Sequence, residues 1–224
     1  FFFSSRRRHT RLQGDWSSDV CSSDLALKRR ETFATSGPRI APRFFGGWDL
    51  PEAICSETDL ASKGYENGVP MGSLLPEAPR QTAKPRFVVS AAADMGTSDA
   101  PGHPLQRLQI IKGWVDTEGQ FQQLVVDVAG DANNGAYVDT NSCRAHGQGF
   151  STLCGVWEDS EFDMNQDAVY YARAIENPSC RWSTRMCLGF ETENQPDACQ
   201  NPRLPKTIQE RAWTAPIWFE SRRS

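Results

Sequence analysis

Histidine is scarce in this 224-residue chain, with three in all. His9, His103 and His146 lie far apart, and there is no H-x-H and no D-x-H. A catalytic metal centre built on imidazole needs such a cluster, so none can be assigned from these residues. No C-x-x-C pair occurs either, which leaves a zinc site with little to stand on. Long apolar runs are missing: nothing approaches the roughly 20 residues that a membrane-spanning helix requires. Basic residues are not in excess. Lys plus Arg is 24 against 28 for Asp plus Glu, and the net charge of -4 argues against nucleic acid or an anionic lipid surface as the main partner. What is present is ordinary globular material, 38% hydrophobic and 23% charged, long enough for one or two domains.

The first stretch stands apart. Phe1 to Leu25 (FFFSSRRRHTRLQGDWSSDVCSSDL) has a basic knot, no apolar periodicity and no apolar core of a signal peptide. In one reading frame it resembles a translated sequencing adapter. A poly-T spacer would give Phe1 to Phe3, adapter codons Ser4 to Arg11, an index-sized gap Leu12 to Gly14, and further adapter codons Asp15 to Leu25. The competing reading is an arginine-rich arm that binds nucleic acid. Such an arm has no reason to follow adapter codons on both sides of a gap, so residues 1–25 are expected to be artefactual. Cys21 leaves with them, and Ala26 then opens the chain abruptly, as a truncated gene would.

Ala26 to Phe33 suits the last turns of a helix, stopped by Ser36-Gly37-Pro38. Arg39 to Phe45 reads as a strand, and Trp48 to Pro85, rich in proline and poor in periodicity, as a long connection. Arg86 to Ala92 is another strand. The strongest signal is Leu105 to Val115, Asp116 to Gly119 and Gln120 to Ala129, a β-hairpin around a Gly-containing turn. Its second arm alternates: Leu124, Val126 and Val128 would face a core, with Gln123 and Asp127 facing water. Thr152 to Glu158, Ala168 to Glu176 and Ala215 to Phe219 have strand composition, whereas Thr207 to Ala212 is ambiguous. The fold expected is mostly β, a sandwich-like region with long loops and a helical remnant at the start. Residues 26–47 would form a junction and 48–224 the β-rich domain.

Beyond residue 25 there are six cysteines: Cys55, Cys143, Cys154, Cys180, Cys187 and Cys199. The last five read as disulfide candidates, with no role assigned to Cys55. Cys143 and Cys154 are close enough in sequence for a bond across a hairpin. Zinc ligation and free thiols are the alternatives; a cysteine nucleophile lacks a partner, since His103 and His146 sit in Gly- or Pro-containing loops where a solvated imidazole is the ordinary outcome. Asp159, Glu161, Asp163, Asn165 and Asp167 fall on alternate positions and invite a calcium-loop reading, but Met164 or Ala168 stands where such a loop requires Gly. A solvated acidic turn is the better fit. Arg86, Arg107 and Arg173 read as structural pairing partners. Trp48, Trp114, Trp157, Trp182, Trp213 and Trp218 could form a sugar-stacking platform, although Trp on strands is usually core.

Taken in order, ALKRRETFATSGPRIAPRFFGGWDL, KGYENGVPMGS, LQIIKGWVDTEGQ, GVWEDSEFDMNQDAVYYARAIENPSCRWST and TIQERAWTAPIWF resemble the C-terminal third of a bacterial family catalogued as domain of unknown function 3604. That family is similar to the polymerase-and-histidinol-phosphatase type of metal-dependent phosphoesterases. The resemblance implies an upstream catalytic domain with Gly-Asp-x-His-x-His and Ser-Asp-x-His motifs, a divalent metal held there, and a periplasmic or otherwise exported location. It transfers no catalytic, cofactor or metal residue to any position here. The segment would be an accessory region whose partner is that missing domain, with no nucleic acid and no membrane span. The alternative is a non-catalytic envelope module that binds carbohydrate or protein through exposed Trp.

Overall fold

A computed structural model describes residues 22–221. A short helix, α1 (Ser22–Lys28), opens it. It begins four residues before the helical remnant expected at Ala26 and ends sooner. Arg30 adopts a left-handed φ of 58° while Glu31 N–H donates to Ala26 and Arg30 N–H to Leu27, a Schellman-type ending that closes the last turn. The adapter-like residues up to 21 lie outside the described residues.

Strands β1 (Phe33–Thr35) and β2 (Ala41–Gly47) follow. The long connection then holds a 3-10 turn at Ile54–Ser56, a helix α2 (Leu60–Asn67) and a two-residue β3 (Val69–Pro70). The sequence reading did not anticipate α2. Its signal was local: Asp59 caps it by accepting from Ser62 N–H at 3.1 Å. Next come β4 (Arg86–Ala92), β5 (Leu105–Val115), β6 (Phe121–Gly130), β7 (Tyr137–Asp139), β8 (Arg144–His146), β9 (Thr152–Glu158), β10 (Ala168–Glu176) and β11 (Ser179–Cys180). Helix α3 (Trp182–Leu188), also unanticipated, precedes β12 (Thr207–Ile208), β13 (Arg211–Thr214) and β14 (Ile217–Phe219).

Two antiparallel sheets carry the fold. The larger has the order β1-β13-β10-β5-β6, with β14 also pairing to β10; the smaller is β3-β2-β4-β9. The β5–β6 hairpin forms as expected, closed by Asp116, whose side chain accepts from Glu118 and Gln120 N–H, and by Gly119 at φ 78°. Ala168 to Glu176 is a strand, in register with β5 from Trp114 to Leu105. Between the sheets lies one core, in which Phe44, Phe87 and Val89 of the smaller sheet meet Leu108, Ile110, Tyr170, Ala172 and Ile217 of the larger. The molecule is thus mostly β and sandwich-like.

The inner-face expectation for β6 holds only at one end. Val128 packs against the core, but Leu124 is 36% exposed. The cause is geometric: β6 is an edge strand of the wider sheet, and β9 of the smaller sheet comes against it where Gly155 approaches the Val128 backbone.

Candidate functional site

Lys112 sits within an otherwise apolar run on β5, and the sequence reading passed it over. In the fold its Nζ lies 2.6 Å from Oδ2 of Asp159, both side chains being almost fully buried. Tyr170 on β10 donates its hydroxyl to the same oxygen at 2.7 Å, and Asp159 Oδ1 accepts from Glu161 N–H at 3.2 Å. Burial, reinforced by the neighbouring Asp159 charge, drives the Tyr170 phenol far above its usual range. The ring of Tyr170 stacks on Phe87 at 4.2 Å. Such a trio could in principle move protons, but every member is enclosed by core side chains. It fastens the turn after β9 to the larger sheet.

That turn contains the alternating acids. Asp159 is taken by Lys112 and Tyr170, Asp163 accepts from Asn165, and Asp167 accepts from Ser221 N–H and Oγ at 2.7 Å. Their carboxylates therefore point to separate partners. Among the described residues no three His, Cys, Asp or Glu side chains are grouped to hold a metal ion.

A groove of about 570 Å³ lies on the outer face of the larger sheet. Gly113 and Val169 lie side by side in neighbouring strands on its floor, and Tyr171, Trp218, Val115 and Phe121 stand around it. Rows of outward residues explain it: Gly113, lacking a side chain, leaves a gap between larger neighbours. Trp114 lines one side, but Lys112 Nζ sits 5.2 Å from its ring centroid, and the Arg30 guanidinium covers Trp218 at 5.3 Å. Phe121, at 90% exposure, is the bare aromatic of the group.

One strand-spacing along, Arg173 donates through Nε and Nη2 to Gln109 Oε1, Gln109 donates to Asp127 at 2.6 Å, and Arg107 pairs with Asp127 at 3.6 Å. The structure thus joins Arg107 and Arg173 through a shared pair of partners. Burial, then the nearby Arg211 and Arg107, lowers the Arg173 pKa. Arg86 stands apart, bonded to the Leu50 carbonyl and to Glu158 at 2.8 Å.

The other tryptophans divide. Trp48 donates to the Pro76 carbonyl and meets Phe162 edge-on, and Trp157 packs on Phe87. Trp213 carries Arg211 at 5.9 Å, while Trp182 on α3 is open to solvent. His146 stacks on Tyr137 at 4.7 Å. His103 is half-buried rather than freely solvated, and burial, with Arg185 beside it, lowers its pKa.

Three disulfides form: Cys55–Cys154, Cys143–Cys180 and Cys187–Cys199. The Cys143–Cys154 bond suggested by spacing is not made. Cys143 closes the β7–β8 hairpin, which lies against β11, and its Cα lies 5.5 Å from that of Cys180. Cys55, which had no assigned role, joins the 3-10 turn to β9.

Glu176, at the end of β10, was also missed. It is 1% exposed, and its Oε1 has no hydrogen-bond partner among the described residues. Burial first, then Glu210 and Asp94, raises its pKa to about 8.

Comparison with protein families gives a match over residues 15–221 to the family described as "Protein of unknown function (DUF3604)". The match takes in Asp15 to Leu25, part of the adapter-like stretch. Comparison with curated proteins and with solved structures gives no match to either.

Proposed function

The chain belongs to this family of unknown function, DUF3604, and on that premise we propose that it is the β-rich accessory region of an exported, metal-dependent hydrolase of the phosphoesterase kind. Its divalent metal would be held by an upstream catalytic domain, and the segment would shape or brace that domain's cleft. The observation that carries this reading is the apolar surface around the point where the chain enters the fold. Leu27 on α1, Phe33 on β1, Tyr65 on α2 and Leu74 are all exposed; Tyr65 bonds to Glu31, and Leu74 bridges to Trp218, whose ring Arg30 covers. Exposed apolar patches of this kind mark interfaces. Three disulfides favour an oxidising, extracytoplasmic compartment.

Under this reading residues 1–25 are adapter-derived, 26–47 the junction and 48–224 the accessory domain. Sequencing the intact locus tests it. An upstream reading frame with His- and Asp-rich metal motifs running into Ala26 is the expected result; genomic DNA that encodes Phe1 to Leu25 as found here, with no such domain, would refute it. Turnover of phosphodiesters or esters by the isolated chain with manganese or zinc would refute it as well.

A second reading, a non-catalytic envelope module for carbohydrate or protein, has the groove at Gly113 in its favour. Cations over Trp114 and Trp218 weaken the stacking platform it would use. Glycan binding that is lost on Trp218→Ala would support it.

A further inference from the structure

Edge strands expose unpaired backbone N–H and C=O groups, and folded proteins protect them by keeping them short, covering them, or placing charge and proline on them. Three edges here follow that rule. β1 has three residues, β3 has two and ends in Pro70, and β9 is flanked by the 3-10 turn through Cys55–Cys154. β6 does not. It is ten residues long, pairs with β5 alone among the described residues, and lies beside β9 where Gly155 approaches the Val128 backbone. From Phe121 to Val126 (FQQLVV) it bears no charge, no proline and no glycine. Phe121 is 90% exposed and Val125 40%.

We infer that β6 pairs antiparallel with β6 of a second copy of this chain, making one sheet continuous across a two-fold axis at Gln123. The register follows from the face pattern. Phe121, Gln123 and Val125 point outward and Gln122, Leu124 and Val126 inward, as their β5 partners show. A pairing that keeps each face continuous must place the axis on a residue, not between two. An axis at Leu124 would set Phe121 against Asp127, and one at Gln122 would leave Val125 beyond the strand. With the axis at Gln123, Phe121 lies opposite the partner's Val125 twice over, an aromatic and β-branched cross-strand pair, and Gln123 faces its own copy. Asp127 then falls opposite the turn glycine, Gly119, so no like charges meet. Such an isologous contact closes on itself and stops at a dimer. It lies at the opposite edge of the sheet from β1 and does not depend on the hydrolase reading.

Sedimentation equilibrium of the full 224-residue chain should show a monomer–dimer equilibrium at tens of micromolar. Gln123→Lys and Val125→Lys, both at exposed positions, should each leave a monomer with an unchanged circular dichroism spectrum. In a Cys21→Ser background, Gln123→Cys should cross-link to a dimer under mild oxidation at least tenfold faster than Thr117→Cys in the turn. A wild-type monomer at all concentrations, a dimer that persists in both lysine variants, or equal cross-linking at 117 and 123 would each overturn the inference.

Discussion

Tyr170 and Lys112 meet at a single atom, Oδ2 of Asp159, the hydroxyl at 2.7 Å and the ammonium at 2.6 Å. Removing one partner differs from removing another, because what is left behind decides the cost. Tyr170→Phe deletes one hydrogen bond to a charged acceptor and should cost about 1.5–3 kcal/mol. Asp159→Ala leaves Lys112 buried without its counter-charge and should cost about 3–5 kcal/mol. Lys112→Met with Asp159→Asn, which removes both charges, should recover a good part of that. Urea unfolding of the three variants checks the order; equal losses for Tyr170→Phe and Asp159→Ala would mean the pair is not truly desolvated.

Glu176 makes stability fall as pH rises. Its folded pKa of about 8 lies above the ordinary 4.5, so between these values the folded state holds a proton that the unfolded chain has released. The contribution is complete below about pH 4.5 and is lost as pH passes through 8. Glu176→Gln mimics the protonated form at every pH. It should match the parent near pH 4 and exceed it by about 1–3 kcal/mol near pH 9, the cost of a buried polar group left unsatisfied. Urea midpoints across that range provide the measurement, and parallel curves for parent and variant would rule the assignment out.

The disulfides should rank by the loop each closes. Cys55–Cys154 spans 99 residues and Cys187–Cys199 only 12. Replacing the first pair by serine should cost about 4–5 kcal/mol and the second about 3 kcal/mol on a chain-entropy account. Thermal unfolding of the two double variants tests this, and an inverted order would point to native-state effects instead. Seven free thiols in the denatured, unreduced 224-residue chain, in place of Cys21 alone, would remove the premise.

How much of this was legible depended on whether the signal was local. The β5–β6 hairpin was, because its alternation and its Asp116–Gly119 turn are written in consecutive residues. Helix α2 was half legible: Asp59 and Ser62 form a recognisable cap, but the segment is short and amid prolines. The partner of Cys55 was not, since nothing near residue 55 encodes the arrival of residue 154. Lys112, Asp159 and Glu176 are charged residues in strand or turn patterns, and their burial follows from which sheet covers them, a tertiary property. The groove was hidden for the same reason, as Gly113 becomes a floor only once Val169 lies beside it.

Gly64 sets two effects of known size against each other. It lies within α2, where alanine is favoured over glycine by roughly 1 kcal/mol through helix propensity. An added Cβ would, however, come within 2.7–2.8 Å of three atoms of the Phe45 ring. Phe45 is 2% exposed and meets Tyr65 edge-on at 5.0 Å, so it has little room to retreat, and overpacking of this sort costs about 1–3 kcal/mol. The clash should win. Gly64→Ala is expected to destabilise the protein by about 1 kcal/mol, while Gly64→Ala with Phe45→Leu should be more stable than Phe45→Leu alone, since the smaller side chain frees the space and lets the helix preference show. A double-mutant cycle read by urea unfolding gives the coupling, and additive effects would mean that Gly64 is not held by that ring.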